Sequence, residues 1–350
     1  MTILLTGLTG ELGSALAPIL QLKERIFCLV RDGKARADKG SLQGIPVEQI
    51  IDGDITERFC GLSTARVNFL REQEITRIIH AAASVKFDKE LAEEIWLTNF
   101  IGTKNVISVA SALGVKEFHY ISTAYAPAGR NPYEESKLAA EGLVKKSKMP
   151  YSIYRLSVII GDSRTGHTKT FNGFYGFFAG LHRIAERSRK KRGFDGEVQL
   201  PVYINCSFKS TLNLIPVDWT VKTLVALIYS RCQNKTFHIT HPNPPRVQWI
   251  MEEGFRAIGI KGIKYNDYRH SQPEQTNHLL KVIQKAVNRN LGRYHPYITK
   301  EEKFPFEITQ KFLDGKYESP SEITPELLTV LLNFAVKKKF GKIKENIARE

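Results

Sequence analysis

Apolar residues along this chain fall into short solid runs separated by stretches with helical spacing. Ile3 to Leu5 is the first run, and Ser14 to Leu20 behind it reads as a helix. Ile26 to Val30, Val47 to Ile51, Arg77 to His80 and Glu117 to Ser122 read as further strands. Helices are expected over Leu62 to Glu72, over a long stretch from Lys89 to Leu113, and from Tyr133 to about Lys146. Unbroken apolar runs suit strands buried on both faces of a parallel sheet, and their alternation with helices predicts a doubly wound α/β architecture. Beyond Pro150 the pattern loosens. Tyr151 to Ile160 reads as a strand, Gly161 to Gly166 as a polar turn, Leu212 to Val217 as a strand, and Thr236 to Ile239 as a last one. Asp218 is placed to cap a helix running to Tyr229. From His241 onward the chain reads as mostly helical and charged. The expected organisation is a core over residues 1–160 and a smaller, mainly helical lobe over 161–350, with 205–240 returning to the core. There is no internal repeat or low-complexity segment.

The punctuation between these elements carries the first chemistry. Thr6-Gly7-Leu8-Thr9-Gly10-Glu11-Leu12-Gly13 lies between the first strand and the first helix. Glycines at the first, fourth and seventh positions of such a turn let the backbone bend sharply and approach a pyrophosphate, while the N–H groups of the first helical turn point at its charge. The second strand ends in Arg31-Asp32, with Lys34 and Arg36 close behind. Arginine there pairs with a ribose 2′-phosphate, so NADPH is expected; Asp32, one residue further on, leaves NADH open as the lesser choice. Ala81, Ala82 and Ala83 follow the fourth strand, where small residues let a flat ligand lie against the backbone.

A second constellation is Tyr133-Glu134-Glu135-Ser136-Lys137. Spacing of i, i+4 sets the tyrosine and the lysine on one helical face. Of thirteen tyrosines, only Tyr133 has a lysine four residues later. A phenol titrates near ~10, and a positive charge beside it favours the phenolate, so Lys137 is expected to bring Tyr133 toward the working range of a proton donor. Ser122 and Thr123 close the preceding strand and offer a hydroxyl to a carbonyl oxygen.

Composition narrows the setting. At 350 residues, with 42% hydrophobic and 25% charged residues, the chain has an ordinary globular make-up. No apolar run approaches the ~18 residues of a membrane-spanning helix. Met1-Thr2 leads directly into the first strand, so a cytoplasmic setting is expected. Cys28, Cys60, Cys206 and Cys232 are scattered, which reads as buried thiols with neither a disulfide frame nor a metal site. The net charge of +15 is partly local, in Arg183, Arg187, Arg189, Lys190, Lys191 and Arg192, and again in Lys337, Lys338, Lys339, Lys342 and Lys344. These are read either as solvated faces or as a surface for an acidic carrier protein or phosphates at Arg183–Arg192. Peripheral membrane contact stays open, and no specific nucleic acid is expected.

Taken in order, Thr6-Gly7-x-x-Gly10-x-x-Gly13, Gly53-Asp54-Ile55, His80-Ala81-Ala82, Asn99-x-x-Gly102-Thr103, Ile121-Ser122-Thr123 and Tyr133-x-x-x-Lys137 resemble the extended short-chain dehydrogenase/reductase superfamily over about residues 1–240. Cys28-Leu29-Val30-Arg31, Ser122-Thr123-Ala124-Tyr125, Tyr154-Arg155-Leu156-Ser157 and Gly161-Asp162-Ser163-Arg164-Thr165-Gly166 resemble its thioester-reductase branch, which includes fatty acyl-CoA reductases. The resemblance implies a Rossmann-like core and a catalytic group of Thr123, Tyr133 and Lys137, supported by Asn99. It also implies a cofactor site over Thr6, Gly7, Thr9, Gly10, Glu11, Leu12, Gly13, Arg31, Asp54, Ile55, Ala81, Ala82, Ala83 and Lys137. The implied reaction is NADPH-dependent reduction of an acyl thioester, on coenzyme A or a carrier protein, to an aldehyde or alcohol. Two departures stand out. Only nine residues separate Thr123 from Tyr133, which predicts a shorter loop and a more open site, and Leu156 stands where the branch has proline. A sugar-nucleotide or ketone reductase or epimerase on the same scaffold, and an NADP-binding sensor, are the competing readings. The aromatic segment Phe171 to Phe178 is read as either the wall of an acyl channel or ordinary core.

Overall fold

A computed structural model describes residues 1–342 except 39–41, 43, 194, 195, 231, 232, 272, 276 and 314–317. Its strands are β1 (Thr2–Thr6), β2 (Arg25–Val30), β3 (Ile50–Asp52), β4 (Ile75–His80), β5 (Glu117–Thr123), β6 (Tyr151–Leu156), β7 (Val158–Ile160), β8 (Val198–Gln199), β9 (Tyr203–Cys206), β10 (Leu214–Pro216), β11 (Lys235–Ile239), β12 (Ile260–Lys261) and β13 (Lys264–Asp267). Among the described residues, the main sheet has seven strands in the order β11-β6-β5-β4-β1-β2-β3, all parallel. The strand order reverses between β1 and β4, so their carboxyl ends, Thr6 and His80, open the crevice in which doubly wound sheets bind ligands.

Helices α1 (Glu11–Gln21), α2 (Gly33–Asp38), α3 (Thr64–Glu72), α4 (Ala92–Trp96), α5 (Gly102–Leu113), α6 (Pro132–Lys146), α7 (Phe174–Arg192) and α8 (Val217–Ile228) are followed by α9 (Val247–Ala257), α10 (His278–Leu291), α11 (His295–Thr299), α12 (Glu307–Phe312) and α13 (Pro325–Lys337). Among the described residues, three apolar cores result. One packs α1 and α8 onto one sheet face, a second joins α3, α5 and α6 to the other, and a third lies wholly in residues 160–335 around Phe178, Phe255 and Leu331. Fully burying a leucine-sized side chain contributes roughly 1.5–3 kcal/mol, so each of these layers outweighs local propensity.

Several expected elements change. Tyr151 to Ile160 is two strands, because at Ser157 the chain leaves one sheet for another. The Ser157 amide donates to Ile239 (3.2 Å) and the Val158 amide to Asn213 (3.1 Å), so β6 pairs with β5 and β11 while β7 pairs with β10. The long helix before β5 begins with a 3-10 turn and holds a π-helical stretch, Leu97–Ile101, that carries Asn99. Asp218 does not cap α8. Its carboxylate accepts the Ser163 amide (3.0 Å) and hydroxyl (2.7 Å), holding the polar turn that begins at Gly161, and Pro216 precedes the helix without a side-chain cap. The segment over 205–240 is shared: β9 pairs with β13 in the lobe, while β11 joins the main sheet and α8 packs on α1. Cys28, Cys60 and Cys206 are buried free thiols, and Cys232 lies outside the described residues. Among the described residues, no helix is long and apolar enough to cross a membrane.

Candidate active site

Gly7 turns the chain out of β1 with φ of 84°, and a Cβ there would stand 2.6 Å from the backbone of Ala81 and Ala82. A Cβ on Gly13 would collide with the Gly7 carbonyl. These two glycines are therefore required by contact, and they bring the α1 N-terminus close against the end of β4. Gly10 takes the cap position in extended conformation without a side-chain cap. The glycine turn and the N-cap of α1 thus border a cavity of about 240 Å³ lined by Gly7, Thr9, Gly10, Arg31, Arg36, Asp54, Ile55 and Ala81 to Ala83. The cradle, its helix end and the flat alanine floor fit a dinucleotide. At the outer end Arg31 lies 3.7 Å from Asp54, its side chain 67% exposed, and Arg36 lines the same cavity. Asp32, in the left-handed region at φ of 54°, lies outside that lining. Burial opposes ionisation of Asp54, but hydrogen bonds from the Thr56 amide (2.9 Å) and hydroxyl (2.8 Å) and the Arg31 charge outweigh it and hold the carboxyl below its usual range.

An adjoining cleft of about 330 Å³ shares Gly7, Gly10, Ala81 and Ala83 with the first. It brings Glu11, Leu12 and Gly13 together with Thr123, Tyr133 and Lys137. Thr123 arrives at the end of β5. The other two come from the first turns of α6, whose N-cap, Asn131, accepts the Glu134 amide (3.0 Å). Lys137 is buried; its Nζ donates to the Ile121 carbonyl and lies 4.2 Å from the Tyr120 ring centre. Burial pulls its pKa down to about 7, against the upward influence of Glu141. Burial and then the neighbouring Glu134 carboxylate push the Tyr133 hydroxyl up to about 12, against a hydrogen bond with Thr123. The expected lowering of Tyr133 by Lys137 is thus not seen. The ammonium is seated on the Ile121 carbonyl and the Tyr120 ring, and Tyr133 stays a protonated phenol across neutral pH. Ser122 is committed elsewhere, its hydroxyl donating to Glu141 (2.7 Å), which also takes both arms of Arg155 (2.9 and 2.7 Å). Thr123 is the hydroxyl left facing the cleft.

Three expected residues are placed differently. Thr6 lies beneath the cavities, fully buried. Its hydroxyl accepts from the Ala82 amide (3.3 Å) and donates to His80 Nδ1 (2.7 Å). His80 Nε2 then donates to Thr103 (3.0 Å), which donates to the Asn99 carbonyl (2.6 Å). Thr103 has only one proton to give, so this chain admits one tautomer, with His80 protonated at Nε2. Burial and then Lys137 hold the His80 pKa down to about 3. Asn99 clasps the Ser84 backbone with its amide (2.8 and 3.0 Å) and donates to Ser136 (3.0 Å); it reaches α6 there, not at Tyr133 or Lys137. Glu11 lines the cleft, and one oxygen of its carboxylate, Oε2, accepts from the Thr168 hydroxyl (2.8 Å) and the amides of Lys169 (2.6 Å) and Thr170 (3.1 Å).

The short loop between Thr123 and Tyr133 does not leave the site open, because residues from the C-terminal third cover it. Arg130 forks onto the fully buried Glu134 (3.0 Å) and reaches Glu302 (2.8 Å). It also stacks 4.3 Å from Tyr297, whose hydroxyl donates to Glu134 (2.6 Å). Tyr125 packs edge-on to Tyr297 (5.3 Å) and Phe304 (5.0 Å). Phe87, Val158, Gly173 and Tyr297 line both this cleft and a further cavity of about 70 Å³, otherwise walled by Phe174, Phe177, Phe178, Leu212, Val247, Ile250, Met251, Tyr294 and Ile298. The aromatic segment therefore serves both as core and as cavity wall. Sequence reasoning missed Phe87, Glu134 and Tyr297 as site residues. Arg36, noted in the basic run after β2, joins the cavity lining.

The two basic clusters lie side by side, joined by His182 against Phe340 (5.2 Å). Arg183, Arg187, Lys190 and Lys191 are exposed. Arg189 is turned inward to Glu186 (2.7 Å) and the carbonyls of Gly196, Ile258 and Gly259. The Arg192 side chain and Lys344 lie outside what the structure describes.

The profile of the family described as male sterility protein, an NAD-binding type, matches residues 5–131 and 126–224. A linear gramicidin synthase of Brevibacillus parabrevis is 28% identical over 280 residues, which are 69% of this chain and 5% of that protein. Fatty acyl-CoA reductase wat of Drosophila melanogaster is 23% identical over 262 residues, 59% of this chain and 47% of that one. The chain thus spans less than half the length of either relative. Among solved structures, the terminal R domain of the myxalamid PKS-NRPS biosynthetic pathway superposes with a TM-score of 0.73 at 25% identity, covering 98% of this chain and 92% of that one. UDP-glucose 4-epimerase of Thermotoga maritima, at 15% identity and a TM-score of 0.59 over 97% and 99% of the two chains, shares the fold.

Proposed function

This chain belongs to the male sterility protein family of NAD-binding domains, within the extended short-chain dehydrogenase/reductase superfamily, and from that premise we propose that it reduces an acyl thioester to an aldehyde or alcohol with NADPH. The observation that carries the reading is the continuity of the cleft. A phosphate cradle, a triad of Thr123, Tyr133 and Lys137, and an apolar cavity adjoin one another, the middle cleft sharing Gly7, Gly10, Ala81 and Ala83 with the first and Phe87, Val158, Gly173 and Tyr297 with the last. The nicotinamide would supply the hydride. Gly7 to Gly13 would hold its pyrophosphate, Ala81 to Ala83 and Ile55 its flat groups, and Lys137 its ribose. Arg31 and Arg36 at the outer end favour a 2′-phosphate. The substrate carbonyl would lie between Tyr133 and Thr123. Tyr133, protonated at neutral pH, gives its proton to the carbonyl oxygen, while the Thr123 hydroxyl steadies the charge that develops there. Loss of the thiol from the resulting hemithioacetal leaves the aldehyde. An acidic carrier protein meeting the basic surface of α7 would supply the thioester.

The cavity beyond Tyr133 is lined by phenyl, tyrosyl and aliphatic groups. This favours an acyl chain over the hydroxyl-rich sugar that the epimerase likeness would suggest. The test is NADPH absorbance against a panel of acyl-CoAs, aldehydes and nucleotide sugars. Turnover of acyl-CoA is expected, and Tyr133→Phe should lower kcat by about 10²–10⁴-fold with cofactor affinity kept. Turnover of nucleotide sugar alone would overturn the proposal.

A further inference from the structure

Helix α10 presents an arrangement that the cleft chemistry does not use. Lys281, Lys285 and Arg289 recur every fourth residue, Arg293 follows at the same interval in the turn beyond the helix, and all four are exposed. They lie away from the buried Gln284, Val287 and Leu291, and Leu279 and Val282 stand among them 64% and 55% exposed. Exposed aliphatic groups within a basic ring resemble the centre and rim of a protein interface more than a solvated face. The stripe also has a direction. It covers ~18 Å by helical rise and ends at the cleft mouth, where Arg293 pairs with Asp88 (3.4 Å) beside Phe87, which lines both the cleft and the apolar cavity. On the neighbouring helix, Gly176 and Gly180 of α7 sit against Tyr294 and Asn290, which brings the exposed Arg183 and Arg187 alongside α10.

We infer that the exposed face of α10, flanked by Arg183 and Arg187, is the landing surface for an acidic carrier domain that delivers its phosphopantetheine-bound thioester at Arg293. The inference rests on the thioester reading above and names the surface that serves it. Charge complementarity selects the occupant: Glu274 pairs with Lys281 (2.8 Å) and Asp88 with Arg293, yet with Lys285, Arg289, Arg183 and Arg187 the face keeps a basic excess, and the aliphatic pair gives a folded domain something to cover. Docking would bring the partner's tethered arm to the rim without closing the cleft to coenzyme A thioesters.

The test uses the full chain, a bacterial acyl carrier protein carrying an acylated phosphopantetheine arm, and the same acyl group on coenzyme A. The triple variant Lys281→Glu, Lys285→Glu, Arg289→Glu should weaken carrier binding, read by fluorescence anisotropy, and raise KM for the acyl-carrier by about tenfold or more. Its KM for acyl-CoA and kcat on both substrates should stay as in the parent, and the salt dependence of carrier binding should flatten. Val282→Asp alone should reproduce the direction of the effect. Equal weakening on both substrates, or a carrier that fails to bind the parent protein, would overturn the inference. So would variants that lose binding to anionic vesicles or RNA yet bind carrier unchanged. If no thioester is reduced at all, the thioester reading fails, whereas anisotropy reports on the surface separately.

Discussion

The two ends of the cleft are built from different materials. The cofactor end is mostly backbone: a turn at Gly7, an uncapped helix end at Gly10 and an alanine floor, set by two short segments at the ends of the neighbouring strands β1 and β4. The apolar end is mostly side chain, assembled from Phe87, Val158, Phe177, Met251 and Tyr297, which meet only because the lobe packs against the sheet. Backbone sites depend on conformations few residues can adopt, so they tolerate little substitution. Side-chain sites depend on volume, so they can be reshaped.

That contrast is open to direct attack. Gly7→Ala forces a Cβ against Ala81 in a left-handed turn, strain of roughly 1–3 kcal/mol, and should weaken NADPH binding by about 100-fold while thioester affinity changes little; calorimetric titration reads both. Arg31→Ala with Arg36→Ala should lower kcat/KM for NADPH by about 30-fold and leave NADH nearly unchanged, since a charged hydrogen bond contributes ~1.5–3 kcal/mol. A matching loss with both cofactors would reject the phosphate role. At the other end, Met251→Trp should raise KM about tenfold for long acyl chains and spare short ones, a volume effect worth ~1–3 kcal/mol. If it impaired cofactor binding as well, the two ends would not be independent.

The smallest effect concerns the floor between them. Folded His80 takes its proton only near pH 3, against an ordinary value of 6.5. As pH falls below 6.5 the unfolded chain gains that proton first, so stability present above 6.5 is lost progressively toward 3. Glu117, held down to about 2 chiefly by His119, adds to the loss below 4.5. The thermal midpoint should therefore drop a few degrees between pH 7 and 5, and His80→Gln should flatten that slope.

The same contrast explains what could be read before the fold was known. Gly7, Gly10, Gly13, Tyr133 and Lys137 announce themselves through spacing within one turn or one helix. The doubly wound sheet was legible for a similar reason, its strands being unbroken apolar runs. Tyr297 lies 164 residues from Tyr133, and only packing brings the two to one cleft. Phe174 and Phe177 look identical as core and as cavity wall. The break at Ser157 was hidden because hydrophobic residues continue on both sides of it, and the deciding bonds go to Ile239 and Asn213, far along the chain.

That break bears on any attempt to dissect the protein. Because β6 and β7 belong to different sheets and α8 and β11 come back from beyond residue 216, a fragment ending at 160 would keep the glycine loop yet lose the outer strand and the helix that covers α1. It would strip α8 from α1, whose Leu16 and Leu20 share an apolar core with Leu224 and Leu227. The seam at Ser157 is a stitch, and neither piece of cloth is whole when it is cut.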